Sequence, residues 1–201
     1  MTAACFIGDS LLSPELITAM STRLGWTIAA YSGVGGSGFI KPGSGTNFLP
    51  RLPALLAYNP DVFVVIGGCN DGAPDSEATI RAAEDTFFVA LRAGLPNVKL
   101  YVAGVWNLTQ IRFDNLRAAT LAVGGQFIDW GDCADVGYDF QRSGGIRWMT
   151  GTGDETHLNG DGNRDVYMQS LPHPTIPAGR NYVGTRFAFA IRPPSTGLVG
   201  W

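Results

Sequence analysis

The chain has 201 residues and a mass of 21.4 kDa, enough for one domain that buries roughly 70% of its unfolded surface. Apolar residues make up 45% and charged residues 15%, which excludes a large disordered region, and the longest apolar runs fall well short of a membrane span. A formal charge of -3 with 14 Lys and Arg residues, none of them clustered, offers no phosphate-tracking surface and weighs against a nucleic-acid partner.

Ala3 to Ile7 reads as a short apolar strand, and Ser13-Pro14-Glu15 as a helix start with Ser13 as N-cap and Pro14 at the first helical position. That helix is expected to reach about Arg23. Thr27 to Tyr31 reads as a second strand, residues 32 to 47 as a loop rich in glycine and serine, and Phe48 to Tyr58 as a helix in spite of Pro50 and Pro53. Asp61 to Ile66 is the third strand. Pro74 to Leu91 carries the longest helical pattern, with Ile80, Phe87, Phe88 and Leu91 among its apolar positions and Asp75 or Ser76 as its cap. Val98 to Val105 then reads as a buried strand, Ile111 to Val123 as a helix, Gln126 to Trp130 as a short strand and Asp161 to Leu171 as a final helix. Gly131 to Gly153 forms a long linker, and Phe187 to Ile191 reads as an additional edge strand before a Pro-rich end.

Strands that alternate with helices in this way predict an α/β fold: five short, mostly parallel strands covered by helices on both faces. The strands starting near Ala3, Thr27 and Asp61 are expected to end at one rim, because each is followed by a polar turn. With no internal repeat and no second-domain boundary, residues 1–201 read as a single domain with 172–201 as a C-terminal extension. Cys5, Cys69 and Cys133 are odd in number and widely spaced, so they imply neither a disulfide framework nor a CxxC metal site. No basic segment followed by an apolar one opens the chain, so no signal peptide is expected; a cytoplasmic location and a place in a larger extracellular or particle-associated assembly both stay open.

Three polar turns carry the chemistry. Gly8-Asp9-Ser10-Leu11 follows the first strand, Gly67-Gly68-Cys69-Asn70-Asp71 follows the third, and Asp154-Glu155-Thr156-His157 lies in a glycine-rich stretch near the C-terminus. A serine at the C-terminal end of a strand, just before a helix start, sits where backbone N–H groups converge. Its hydroxyl needs a base, and His157 is the better of two histidines because Asp154 stands three residues before it and can orient one ring nitrogen. His173, between Pro172 and Pro174, reads as a surface or packing residue.

Each element alone has a plainer reading. A Gly-Asp-Ser triplet is more often a turn than an active site, and Asn70 is either a turn residue capping the next helix or an amide placed to donate to an oxyanion. Gly35 and Gly36 either permit a tight turn or bring N–H groups against a bound carbonyl. Asp9 is expected to turn away from the nucleophile toward backbone or polar donors, since an inward carboxylate would oppose an oxyanion. Cys69 reads as a small apolar filler or a shaper of the pocket.

Together with the glycine loop around Gly36, Gly8-Asp9-Ser10-Leu11, Gly68-Cys69-Asn70-Asp71 and Asp154-Glu155-Thr156-His157 resemble the four ordered blocks of the SGNH, or GDSL-type, hydrolase superfamily. The resemblance implies a flavodoxin-like three-layer α/β/α sandwich with a mostly parallel five-stranded sheet. It implies Ser10 as nucleophile, His157 as general base and Asp154 as its orienter, with the Ser10 N–H, the Gly36 N–H and the Asn70 amide as oxyanion donors. Acyl transfer by these groups needs no cofactor, and no cluster of metal ligands stands out in the sequence. Two departures accompany it. Residues 33–38 hold four glycines where the block centres on one, so Gly35 competes with Gly36. The chain also runs more than forty residues past His157, an end that could cap an edge or meet a further copy or a larger assembly.

Aromatic faces beside short polar groups suit sugars. Trp106, Trp130, Tyr138 and Trp148 are the candidate substrate contacts on that basis, with packing as their alternative role. A serine esterase acting on a small acyl or O-acetylated carbohydrate ester is the expectation. A lipase or thioesterase of the same superfamily and a non-catalytic glycan-binding or structural module are the alternatives.

Overall fold

The computed structural model describes residues 1–104, 108–129, 187, 188, 190 and 191. The chain runs β1 (Thr2–Gly8), α1 (Pro14–Leu24), β2 (Trp26–Gly33), α2 (Phe48–Leu56), β3 (Val62–Ile66), α3 (Glu77–Gly94), β4 (Lys99–Gly104), α4 (Gln110–Ala122) and β5 (Gln126–Asp129). The strands form one 5-stranded sheet in the order β2-β1-β3-β4-β5, and every neighbouring pair is parallel. Strand order reverses at β1, and right-handed crossovers then place α1 on one face and α2, α3 and α4 on the other. On that second face α2 packs against α3, and α3 against α4. The result is the three-layer α/β/α sandwich expected from the sequence, and no described helix is long and apolar enough to cross a membrane.

Local chemistry accounts for the element ends. Ser13 is extended and its side chain accepts from the Leu16 N–H at 3.3 Å, Pro14 opens α1, and Gly25 closes it with φ 68. Helix α3 starts at Glu77 rather than Pro74, because Ser76 takes the extended cap conformation and accepts from the Thr79 N–H at 3.1 Å. Helix α2 stops at Leu56, short of Tyr58; Pro53 within it has no N–H to donate, and Asn59 with φ 44 turns the chain toward β3. Every residue of β3 is buried, as a strand covered on both faces requires, whereas the edge strand β2 exposes Ile28 and Tyr31.

Phe187 to Ile191 corrects the sequence reading: the described residues there are helical, not an edge strand. Alternation of large and small residues fits a strand, but Phe187 and Ala188 are neighbours and both buried, while Ala190 is exposed and Ile191 packs on the core. A buried pair at i and i+1 with a third contact at i+4 is a helical face. The expected linker from Gly131 to Gly153, the helix from Asp161 to Leu171 and most of 172–201 lie outside the described residues.

Apolar packing also fixes the loop after β2. Phe39 from that loop inserts among Phe48 of α2 and Phe87 and Phe88 of α3, with ring centroids at 4.9, 5.5 and 5.8 Å. On the same stripe of α3 stands a carboxylate, Glu84, only 3% exposed and with its Oε2 unpartnered among the described residues. Burial pushes its carboxyl up from 4.5 to about 8; Arg81 opposes the rise, and the carboxylates of Asp71, Asp85 and Glu77 add to it. The folded chain therefore keeps a proton that the unfolded chain loses between pH 4.5 and 8, so stability falls as pH rises through that window. Glu84→Gln should flatten the decline, by up to about 1.4 kcal/mol per pH unit, in urea unfolding followed from pH 5 to pH 8.

Candidate active site

The turn after β1 is built without spare room. A Cβ on Gly8 would lie 2.1 Å from the Ile66 carbonyl oxygen of β3, so glycine is required for β1 and β3 to stay paired up to the rim. The Asp9 N–H donates to the Ile66 oxygen at 3.3 Å and the Leu12 N–H to the Asp9 oxygen at 3.2 Å. Ser10 thus stands inside a closed turn at the C-terminal rim, half-buried, between β1 and the capped start of α1.

Asp9 is fully buried and, as expected, meets backbone and polar donors. Its Oδ1 accepts from the Leu11 N–H at 2.9 Å; its Oδ2 accepts from the Gly68 N–H at 3.1 Å, the Cys69 Sγ at 3.3 Å and the Asn70 Nδ2 at 3.3 Å. The carboxylate therefore ties the Ser10 turn to the turn after β3. Gly67 and Gly68 make this approach feasible: both have positive φ, 145 and 95, and a Cβ on Gly67 would sit 2.6 Å from Asp9 Oδ2. Cys69 packs against the core as a half-buried thiol, in keeping with a small filler, and also donates to this carboxylate.

Asn70 reaches the same rim as Ser10, and its Nδ2 also donates to the Ser37 carbonyl at 2.9 Å. It does not cap α3; Ser76 does. Both amide hydrogens thus have acceptors, on the loop after β2 and on Asp9. In that loop Val34 to Ser37 forms a turn closed by the Ser37 N–H to the Val34 oxygen at 3.2 Å, with Gly36 at φ 72. The Gly35 oxygen is held by the Ser44 N–H at 3.0 Å, so the Gly36 N–H of the same trans peptide points the opposite way. Among the described residues, neither the Gly35 nor the Gly36 N–H donates a hydrogen bond.

Two residues that frame the site, Asp71 and Arg51, have roles that the sequence reading did not assign. Asp71, 2% exposed, accepts from three successive N–H groups of the loop: Phe39 at 2.7 Å, Ile40 at 3.0 Å and Lys41 at 2.9 Å. Its own carbonyl accepts from Arg112 Nη1, whose Nε donates to Glu77 at 3.1 Å. Arg51 of α2 donates to Gly8, Ser32, Ser37 and Asn47, with its guanidinium over the Phe48 ring at 5.0 Å. Burial pulls its pKa down while the nearby Asp9 carboxylate holds it up. A signal was present for Arg51, the single charge in the apolar helix Phe48–Leu56. For Asp71 the only cue was its place in a strand-end turn. Trp106, Trp130, Tyr138, Trp148, Asp154 and His157 lie outside the described residues.

No family model matches the sequence, and no curated protein does. Solved structures do. A candidate GDSL-like lipase from Parabacteroides merdae is similar with a TM-score of 0.62 at 15% identity, over 94% of this chain and 94% of that one. An active-site mutant of a family two carbohydrate esterase from Clostridium thermocellum matches with a TM-score of 0.60 at 14% identity, over 94% of this chain and 62% of that one. The acetyl xylan esterase Est2A from Butyrivibrio proteoclasticus matches with a TM-score of 0.50 at 16% identity, over 64% of this chain and 54% of that one. At these identities the likeness establishes a shared fold.

Removing the Asp71 carboxylate would leave three loop N–H groups without their acceptor. Asp71→Ala should cost about 3 kcal/mol in urea unfolding and Asp71→Asn, which keeps one acceptor oxygen, about half of that.

Proposed function

We propose that the chain is a serine hydrolase of the SGNH type that cleaves carboxylic esters through an acyl-enzyme. The observation that supports this most is the Asp9 carboxylate, which joins the turn that holds Ser10 to the turn that holds Asn70 at the C-terminal rim of the sheet. In this reading His157 takes the proton from Ser10 Oγ as the oxygen attacks the ester carbonyl, and Asp154 stays ionised and orients the imidazole. The imidazolium then protonates the leaving alcohol, and water repeats the sequence to free the acid.

Charge that grows on the carbonyl oxygen is met by the Ser10 N–H, the Gly36 N–H and the Asn70 amide. Asn70 has two amide hydrogens, so it shares with the oxyanion the one that rests on its longer bond, 3.3 Å to Asp9. Small acyl groups on carbohydrates are the substrate class this reading favours. Its support is the mixture of tryptophans and short polar residues around Trp106 and Trp130, and the acetyl xylan esterase among proteins of this fold.

Hydrolysis of p-nitrophenyl acetate and acetate release from acetylated xylan, with p-nitrophenyl palmitate as contrast, test the reading directly. Ser10→Ala and His157→Ala should lose activity by orders of magnitude, with His173→Ala little changed. Equal turnover by Ser10→Ala and wild type would sink the nucleophile assignment, and binding of xylan without turnover would favour a glycan-binding module. Asn70→Ala should lower kcat roughly 100- to 1000-fold with a modest change in KM; unchanged kcat with a lower Tm would make the amide a structural tie alone.

A further inference from the structure

A single side chain touches the framework of all three oxyanion donors. Arg51 carries five N–H donors, and the structure supplies five acceptors: Nε donates to the Asn47 oxygen at 3.2 Å, Nη1 to the Ser32 oxygen at 3.0 Å and Oγ at 3.1 Å, and Nη2 to the Gly8 oxygen at 3.0 Å and the Ser37 Oγ at 3.1 Å. Gly8 is two residues before Ser10. Ser37 follows Gly36 directly, and its carbonyl accepts the Asn70 amide. Ser37 is fully buried and its hydroxyl donates to the Val34 oxygen at 2.7 Å, across the turn that contains Gly36. The fork thus fastens the end of β1, the end of β2, the glycine turn and the start of α2 to one rigid plane.

We infer that Arg51 is a positioning residue for the oxyanion hole, acting through Gly8 and Ser37 to hold the Ser10 turn, the Gly36 N–H and the Asn70 amide in one geometry. The inference rests on the hydrolase reading for its effect on rate, but not for its effect on structure. An oxyanion hole works only if its donors are fixed before the charge develops, since a donor that must reorganise gives up part of its advantage. Five saturated bonds on a planar group supply that rigidity. Lysine, with three donors on a flexible stem, can fill neither the number nor the plane of these acceptors. The role therefore belongs to the shape of the guanidinium rather than to its charge.

The test uses the full chain with Arg51→Lys and Arg51→Gln, measuring kcat and KM on p-nitrophenyl acetate, Tm, and hydrogen exchange of the Ser37 and Gly38 amides. Both variants should lose about 100-fold in kcat with KM within about threefold, while remaining folded at the assay temperature. Exchange at Ser37 and Gly38 should quicken about tenfold or more, with α1 and α3 amides unaffected. Wild-type kcat in Arg51→Lys would overturn the geometric role. Unchanged exchange in a folded Arg51→Gln would overturn the inference whether or not the chain is an esterase. An inactive wild type with faster loop exchange in the variants would instead remove the hydrolase reading and leave the positioning intact. Should both variants fail to fold, Ser37→Ala decides: it removes the shared hydroxyl alone, and a kcat within twofold of wild type would overturn the role.

Discussion

A carboxylate sealed from water governs the geometry of this rim. Asp9 is fully buried, and a bare charge there would cost several kcal/mol or more. Among the described residues its donors arrive from two separate segments, Leu11 on its own turn and Gly68, Cys69 and Asn70 beyond β3. The charge can be solvated by protein only when β1 and β3 end in their observed register. Any slip would strand it. The positive charge of Arg51 lies close enough to interact with it, so the buried carboxylate also has a counter-charge on α2.

The glycine loop between β2 and α2 is held by two kinds of force acting at adjacent residues. Phe39 drives its ring into the apolar space between α2 and α3, while its N–H, with those of Ile40 and Lys41, closes around the Asp71 carboxylate. One force is non-directional and supplies energy; the other is directional and supplies register. A stretch with almost no secondary structure of its own is fixed in this way without a helix or strand to carry it.

Much of the architecture was legible because the signals were local. Ser13-Pro14 marked a helix start, Asp75 or Ser76 a cap that proved to be Ser76, and the unbroken apolar run of β3 a central strand. Ser10 and Asn70 could be placed on one rim because parallel strands put their ends together. The failures share a different cause. Phe187 to Ile191 satisfies both a twofold and a helical period, and only its packing partners separate them. Arg51 and Asp71 act on residues far away in sequence, Arg51 on Gly8 and Asp71 on Phe39, and no spacing rule encodes such reach. Asn70 was visible as a polar group at a strand end, but not that both its hydrogens would be shared with neighbouring segments.

Gly38 and Asp71 occupy nearly the same space: a Cβ on the glycine would fall 2.4 Å from both carboxylate oxygens. Each position therefore dictates what the other can be. A Cβ at 38 forces the Asp71 carboxylate to shift from its three loop N–H donors, and a shorter group at 71 opens space beside the glycine. Gly35, one turn away, meets nothing within 4 Å. For a protein engineer the loop is thus two territories, one where single-site libraries can be read independently and one where the effects of two positions must be read in pairs.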